Sequence, residues 1–310
     1  MNLKNIKYVV DNSEYVKISR EKIKEFVDNF GENTYIHWYK TLGLNLSEKE
    51  KIILAFLIES LNFCFWKKPK WKIEYEGRII NGSEALFFSL IKEINKNKSF
   101  LDVSQLSKIN ETEFSEIFTA IEGVIPLLKE RYTIFKNTVN IISTKAEKFY
   151  IELFAIKSDE ELLKYIITNF VDFQDTSIYK GKIIDFNKRA ILLVADLFYM
   201  SDTINSKIEN INALLGCADY GIPRTLRHYG ILEYNEELSF EIDNEIEIVH
   251  NSDKEIEIRA NMIYALELIK EELINKRVII NSLELDNLVW NMGKKNKPTL
   301  PYHHTITIAY

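Results

Sequence analysis

The chain has 310 residues, of which 46% are apolar and 28% charged, and its net charge is −6. This composition supports a real hydrophobic core in one large or two modest domains, and it argues against a duplex-DNA binder, which usually carries a basic face. The two cysteines, Cys64 and Cys217, form neither a CxxC zinc pattern nor a disulfide framework, so we expect a reducing, cytoplasmic location. The amino-terminal segment lacks the apolar core of a signal peptide, and the longest apolar run, 190–195, is too short to span a bilayer.

Helical periodicity dominates the chain, which contains only ten glycines and five prolines. Ser47 followed by Glu50 is typical of a capped helix start. Apolar residues at three- and four-residue spacing predict helices over 19–30, 48–64, 83–97, 112–135, 138–156, 159–170, 187–201, 206–217, 223–229, 255–275 and 281–292.

Strand signals are short and few. A hairpin is predicted from 72–76 and 78–82 around Gly77, and the tail 305–308 alternates as a strand does. Neither an internal repeat nor a Pro- or Ser-rich linker stands out. We therefore predict a single, mostly helical domain over residues 1–310, with a two-lobe division near residue 140 as the alternative.

The segment 216–230, GCADYGIPRTLRHYG, places an acid inside a tight turn. Gly221 is expected to take positive φ, Pro223 suits the first position of the following helix, and Gly230 suits its end. With the helix predicted just before it, the segment is typical of a helix–hairpin–helix unit. It would hold Asp219 beside a helix N-terminus, where a flat, polar ligand can bind.

Asp286 and Trp290 lie one turn apart on the last predicted helix. A carboxylate next to an indole suits a flat ligand that is rich in donors, but an exposed acid beside a half-buried Trp fits the spacing equally well. The aromatic run 62–66, which includes Phe63, could stack on a heterocycle, although a core corner is the commoner role of such a run.

Two charged pairs are interpreted as structural. Arg189 and Asp196 lie seven residues apart in an apolar helix and are expected to form a buried ion pair. Glu255 and Arg259 have the i,i+4 spacing of a surface pair. Lys188 points away from Asp196 and is free to meet a phosphate as a point charge.

Several enzyme classes lack their motifs here. The chain has five histidines and no HExxH, and His303-His304 lacks a third ligand, so we expect no catalytic metal and no cofactor. There is no GxGxxG, no GxxxxGK[ST] and no GxSxG pattern.

Eight blocks, taken in order, resemble the queuosine salvage protein family, the queuosine 5′-phosphate N-glycosylases. The resemblance implies a mostly helical fold similar to the helix–hairpin–helix DNA glycosylases. It also implies hydrolysis of the N-glycosidic bond of queuosine 5′-monophosphate, which releases queuine for reinsertion into tRNA. The blocks are LNFCFW (61–66), YEGRIINGSEAL (75–86), IPLLKER (125–131), FNKRAILLVADLF (186–198), CADYGIPRTLRHYGILEY (217–234), EIEIRANMIYALELI (255–269), NSLELDNLVW (281–290) and HHTITIAY (303–310).

The resemblance also suggests roles for single residues. Asp219 falls on the family's acid in the ADY triplet and is taken as the nucleophile or transition-state stabiliser. Asp286 falls on the acid of the late helix and is taken as a partner of the base or ribose. Trp290 matches a Trp of that helix, whereas Cys217 stands where relatives often have Phe and Asn291 stands where many have Asp.

The remaining substrate contacts are candidates by residue type. They are the backbone near Leu215, the rings of Phe63 and Tyr220, the amide of Asn287, and the cations Lys188, Arg224 and Arg227 for a 5′-phosphate.

Two other functions stay open at this point. A helix–hairpin–helix glycosylase acting on DNA should have a basic face and a Gly- and Lys-rich hairpin, whereas this hairpin is YGIP. A non-enzymatic helical binding module should expose an apolar patch. We expect a small-molecule substrate, no stable nucleic-acid partner and no membrane contact. The sequence does not decide whether the preferred substrate is the nucleoside or the nucleotide, or whether the carboxylate attacks covalently or activates a water. It also leaves the oligomeric state open.

Overall fold

The computed structural model describes residues 2–31, 35–296 and 298–310, and it is mostly helical as predicted. Short 3-10 turns lie at Trp38–Thr41 and Val171–Phe173. The helices are α1 (Leu3–Asp11), α2 (Arg20–Asp28), α3 (Glu48–Ser60), α4 (Gly82–Lys96), α5 (Val103–Leu106), α6 (Glu111–Ile117), α7 (Leu128–Lys145), α8 (Glu147–Phe154), α9 (Asp159–Asn169), α10 (Lys188–Met200), α11 (Asp202–Asn205), α12 (Gly221–His228), α13 (Glu236–Asp243), α14 (Asp253–Asn275) and α15 (Ser282–Asn296). The capping box predicted from Ser47 and Glu50 is present at the start of α3.

Six short strands form three antiparallel pairs in the described part of the chain. They are β1 (Val16–Ile18), β2 (Lys72–Tyr75), β3 (Arg78–Asn81), β4 (Thr176–Tyr179), β5 (Lys182–Asp185) and β6 (Leu232–Tyr234). β2 pairs with β3 and β4 with β5, each pair through a two-residue loop, while β1 pairs with the distant β6. Both residues of each hairpin loop have positive φ, as a type I′ turn requires.

Residues 206–217 form no helix, so the prediction of a helix there is wrong. Buried carboxylates on other helices take backbone N–H groups that a helix would use internally: Asp159 accepts from Ala213 at 2.9 Å and Asp286 from Cys217 at 2.7 Å. The chain therefore reaches α12 from an extended loop, and the expected helix–hairpin–helix unit is not formed at this place. Gly221 lacks the positive φ that the turn predicted, whereas Gly230 ends α12 with φ +70° as expected.

Three other segments differ from the sequence prediction. The helix expected over 112–135 is interrupted at 118–127, where Gly123 has φ +69° and Pro126 follows. The next predicted helix is divided at Ala146, which has φ +47°. The tail 305–308 is not a strand; an isolated bridge joins the preceding residue, His304, to Glu247.

The core consists of two clusters of buried apolar side chains. One is built around α3, α4 and α7–α10 and reaches Cys217 and Leu283. The other is built around α1, α2, α12, α14 and the β4–β5 hairpin. Both clusters draw on both halves of the sequence, and the loop 215–218 and helix α15 contribute side chains to each of them. The expectation of one domain stays a prediction.

The two charged pairs do not have the predicted surroundings. Arg189 donates to the carbonyl oxygens of Ser60 and Asp172 instead of to Asp196. Arg259 and Glu255 do interact, at 3.4 Å, but both are fully buried. Arg259 also pairs with a second buried acid, Asp175, with one N–O distance of 3.0 Å. Burial of such a charge is tolerable here because carboxylates surround it.

Candidate active site

Asp219 lies just before α12, and its carboxylate caps this helix. Oδ1 accepts hydrogen bonds from the backbone N–H groups of Gly221 at 2.8 Å and Ile222 at 3.0 Å. A helix N-terminus favours a negative charge. Burial raises the pKa of Asp219, and the Lys188 ammonium and the two backbone hydrogen bonds oppose that rise. Within the described residues no group donates to Oδ2, so one oxygen is anchored and the other is available to a ligand.

Asp286 approaches the same loop from α15. Its Oδ2 accepts the backbone N–H of Cys217 at 2.7 Å, and its side chain is buried. Burial, followed by the negative charge of Asp219, raises the pKa of Asp286 well above its ordinary value. Two carboxyl groups with different surroundings can work in different protonation states. Asp219 therefore suits the role of the anion and Asp286 that of the neutral acid.

Two glycines allow these side chains to approach the loop. A Cβ at position 216 would lie 2.7 Å from Leu266 Cδ1 and 3.1 Å from Asp286 Oδ2. A Cβ at position 221 would lie 3.2 Å from Trp290 Cδ1. Gly221 thus serves close packing against Trp290, rather than the unusual backbone conformation that the sequence predicted.

Buried cations hold the loop that follows α3. The carbonyl groups of residues 60–63 accept hydrogen bonds from Arg189, Arg131 and Lys188, with a Lys188 Nζ–O distance of 3.1 Å. A helix C-terminus carries partial negative charge, so cations are favourable there. Lys188 is buried, and its charge opposes the rise in pKa that burial causes at both site aspartates.

A second pair of buried acids, Glu59 and Asp196, lies next to this cationic group. Asp196 Oδ1 accepts from Trp38 Nε1 at 2.9 Å and lies 2.9 Å from His37 Nε2. Burial lowers the pKa of His37 to about 3, so its contact with Asp196 is a hydrogen bond from the neutral ring. Burial and then the charge of Asp196 raise the pKa of Glu59, and burial raises the pKa of Asp196. Among the described residues, Asp196 Oδ2 is buried without a hydrogen-bond partner.

Aromatic side chains surround the start of α12. Tyr220 packs edge-on against Tyr302, with ring centroids 5.1 Å apart. The guanidinium of Arg224 lies 4.0 Å from the centroid of the Tyr302 ring. Lys294 Nζ lies 4.6 Å from the centroid of the Trp290 ring. The half-buried rings of Tyr220 and Trp290 thus lie close to Asp219.

The other predicted substrate contacts lie further from the two aspartates or are buried. Phe63 is 1% exposed, and its ring contacts the guanidinium groups of Arg131 and Arg189. Leu215 and Cys217 are buried in the loop itself. Asn291 is exposed and donates to Asn287 Oδ1 at 2.7 Å. Of the predicted residues, the structure brings together Asp219, Asp286, Cys217, Lys188, Tyr220 and Trp290.

Sequence reasoning missed Glu59 and Tyr302. Glu59 interrupts the apolar run of α3, and an acid inside such a run is a signal that could have been read. Tyr302 carries no comparable signal, because its contact with Arg224 joins segments 78 positions apart in sequence (302 − 224).

The model of the queuosine salvage protein family matches residues 44–310. The chain belongs to this family. The chain also matches several relatives over almost their whole length. The queuosine 5′-phosphate N-glycosylase/hydrolase of Sphaerobacter thermophilus is 32% identical, with 97% of this chain and 95% of the relative covered. The proteins of the same name from Mus musculus and Dictyostelium discoideum are each 27% identical, with 98% and 97%, and 94% and 89%, of the two chains covered.

No helix over residues 2–31, 35–296 and 298–310 is long and apolar enough to cross a membrane. The same residues contain no group of three or more His, Cys, Asp or Glu side chains that could hold a metal ion.

Proposed function

We propose that this protein hydrolyses the N-glycosidic bond of queuosine 5′-monophosphate and releases queuine for queuosine salvage. Membership of the family and the names of the full-length relatives support this proposal. The observation that carries it in the structure is the pair of unlike carboxyl groups at the loop before α12: Asp219 belongs to this loop and Asp286 reaches it from α15.

Cleavage of the N-glycosidic bond builds positive charge on the sugar. A fixed carboxylate close to C1′ stabilises this charge where it develops. Asp219 Oδ2 is suited to that role, because Oδ1 already anchors the side chain to α12. The carboxylate either adds to C1′ or orients the attacking water. In both routes water finally supplies the hydroxyl at C1′ and a proton to the base.

The leaving base needs its developing negative charge offset. A 7-deaza base has no N7 acceptor, so the help must come from another part of the ring. Asp286 in its protonated form can donate to the base, and the nearby Lys188 ammonium favours negative charge in this region. Tyr220 and Trp290 supply ring faces on which a flat base can stack. The backbone near Leu215 and Cys217 supplies acceptors for the donors of the base.

The test is release of queuine by the purified protein, measured by chromatography after incubation with queuosine 5′-monophosphate, queuosine or guanosine monophosphate. Asp219→Asn should fold normally, because an amide oxygen can still accept the two helix N–H groups, yet it should lose at least about 100-fold in turnover. Asp102→Asn is the matched control, since Asp102 caps the exposed start of α5 by accepting from Ser104 at 2.7 Å. Near-normal turnover in Asp219→Asn would remove Asp219 from the reaction.

The remaining expectations belong to the same proposal. The substrate is a small molecule, hydrolysis requires no cofactor, and the net charge of −6 argues against a stable nucleic-acid partner. The two cysteines are free and buried, in keeping with a cytoplasmic location.

A further inference from the structure

Arg259 on α14 contacts the backbone of the loop that carries Asp219. Its side chain is fully buried, and Nε donates to the carbonyl oxygen of Ala218 at 3.3 Å. This carbonyl belongs to the peptide group that joins Ala218 to Asp219, so the hydrogen bond acts directly before the proposed catalytic carboxylate. The helix α12 begins only at Gly221, so the place of this peptide group depends on contacts from other elements.

Two buried acids hold the other nitrogen atoms of Arg259. Nη1 donates to Asp175 Oδ1 at 3.0 Å and to Glu255 Oε1 at 3.4 Å, and Nη2 donates to Asp175 Oδ2. The two bonds to Asp175 form the parallel fork that is typical of a guanidinium and a carboxylate. The ring centroids of Phe186 and Tyr310 lie 4.0 Å and 4.3 Å from Cζ. The guanidinium is therefore held from several directions, which fixes where Nε points.

Asp175 also ties this arrangement to the start of α10. Its Oδ2 accepts the backbone N–H of Lys188 at 3.4 Å, and its carbonyl oxygen accepts those of Phe186 and Asn187 at 2.8 Å and 3.2 Å. Lys188 is the first residue of α10, and its charge opposes the rise in the pKa of both site aspartates. One guanidinium thus links, through a single acid, the loop that carries Asp219 to the helix start that carries Lys188.

This arrangement uses more of Arg259 than its charge. A lysine at position 259 would still neutralise the two acids as a point charge, but its single nitrogen atom would not also reach Ala218 in the planar geometry of arginine. A buried ion pair is by itself weak evidence for a role in stability. The bond from Nε to the loop is therefore the feature that points to function.

We propose that Arg259 is a positioning residue for glycosidic cleavage: by holding the carbonyl group of Ala218, it sets the place of the Asp219 carboxylate relative to C1′ of the substrate. This inference rests on the proposed function, because it assumes that Asp219 acts at C1′. Arg259 is fully buried and acts only through Asp219. Since misplacement of a reacting group by about 1 Å can cost on the order of 100-fold in rate, a small shift of this peptide group affects turnover more than substrate binding.

The main variant is Arg259→Lys, which keeps a positive charge beside the two buried acids. It should lower kcat for release of queuine from queuosine 5′-monophosphate by about 10-fold or more and change KM by less than about 3-fold. Glu257→Gln is the matched control, because it changes a buried charged side chain on the same helix that binds the backbone of residues 14–16. Its kcat should stay within about 2-fold of the wild-type value.

A double-mutant cycle separates positioning from a loss of folded protein. If Arg259 acts through Asp219, Arg259→Lys should change the residual kcat of Asp219→Asn by less than about 2-fold, because the group that it positions is already removed. The residual rate is measured in single turnovers with the protein in excess over substrate. A fall of about 10-fold in both backgrounds would mean that Arg259→Lys only lowers the amount of folded protein, and the positioning role would be wrong.

Hydrogen exchange gives a second measurement that does not depend on turnover. Asp219 Oδ1 accepts the backbone N–H groups of Gly221 and Ile222, so Arg259→Lys should raise their exchange rates by about 10-fold or more, whereas Glu257→Gln should leave them unchanged. Wild-type release of queuine, with exchange rates and kcat unaltered in Arg259→Lys, would overturn the positioning role and leave the proposed function standing. If the wild-type protein releases no queuine, the proposed function fails and the positioning role fails with it, even where the exchange rates change as expected.

Discussion

Asp219 and Asp286 flank the same short loop and differ in what surrounds each carboxyl group. Asp219 accepts two backbone N–H groups at a helix N-terminus and feels the positive charge of Arg224, in addition to that of Lys188, which acts on both acids. Asp286 accepts a single N–H and feels the negative charge of Asp219. Asp219 should therefore lose its proton at lower pH than Asp286, and the pair is poised as one anion and one acid over an interval between the two.

This difference predicts a bell-shaped dependence of kcat/KM on pH. Activity should rise with pH as Asp219 loses its proton, at a pH above the ordinary aspartate pKa of about 3.9, because burial raises the pKa of this group. It should fall again as Asp286 loses its proton. In Asp286→Asn the alkaline limb should disappear, because the amide still donates a hydrogen bond but does not titrate.

The measurement is the pH profile of queuine release from queuosine 5′-monophosphate for both proteins, with stability checked at each pH. Asp102→Asn is the reference, since Asp102 accepts from Ser104 at the exposed start of α5, away from the two site aspartates. An alkaline limb that survives unchanged in Asp286→Asn would assign that limb to another group.

At the level of single elements, the loop 215–220 depends on glycine for close packing. A Cβ at position 216 would meet Leu266 Cδ1 at 2.7 Å and Asp286 Oδ2 at 3.1 Å. Gly216→Ala should therefore lower the free energy of unfolding by about 1–3 kcal/mol and should also reduce queuine release, because Asp286 must move.

Chemical denaturation and the release assay together test this expectation. Ile279→Ala is the control, since the Ile279 side chain is 98% exposed, and its change should stay within about 0.5 kcal/mol. Wild-type stability and activity in Gly216→Ala would show that Asp286 can shift without effect on the reaction.

The β4–β5 hairpin shows where sequence reasoning stopped short. The predicted hairpin contains Tyr-Glu-Gly-Arg-Ile-Ile at 75–80, and the missed one contains the parallel pattern Tyr-Lys-Gly-Lys-Ile-Ile at 179–184. Each has its glycine at the second loop position, with φ near +75° to +79°. The signal was therefore present twice in the sequence, and local turn chemistry was sufficient to predict both hairpins.

The loop 206–217 could not be predicted in the same way. Ile208, Ile211 and Leu214 have helix-like spacing and are all buried, so the pattern correctly indicates burial but not conformation. The backbone is held instead by Asp159 and Asp286, acids that are distant in the sequence. Long-range acceptors of this kind override a local preference, and no window of sequence contains them.

At the scale of the whole molecule, the site lies where the two apolar clusters meet. Cys217 and Leu283 belong to one cluster, while Leu215, Ala218 and Val289 belong to the other. Motif matching located Asp219 and Asp286, because both lie inside blocks of consecutive residues. It did not locate Lys70 with Tyr302, because their proximity to Arg224 arises only from packing of distant segments.

The amino-terminal segment is part of this packed body, although the family model matches only from residue 44 onwards. The buried carboxylate of Glu257 on α14 accepts the backbone N–H groups of residues 14 to 16, at distances of 2.7–3.3 Å, and the hydroxyl of Tyr179 at 2.7 Å. Glu257→Ala leaves these donors buried without an acceptor, so it should lower the free energy of unfolding by about 3 kcal/mol or more. Glu237→Ala removes an exposed partner of Lys254 and should cost at most about 1 kcal/mol.

Denaturation of the two variants tests whether the amino-terminal segment folds with the rest of the chain. Equal denaturation midpoints would show that residues 2–28 unfold independently. A single, strongly lowered transition in Glu257→Ala, with queuine release retained at low temperature, would show that these residues fold with the rest.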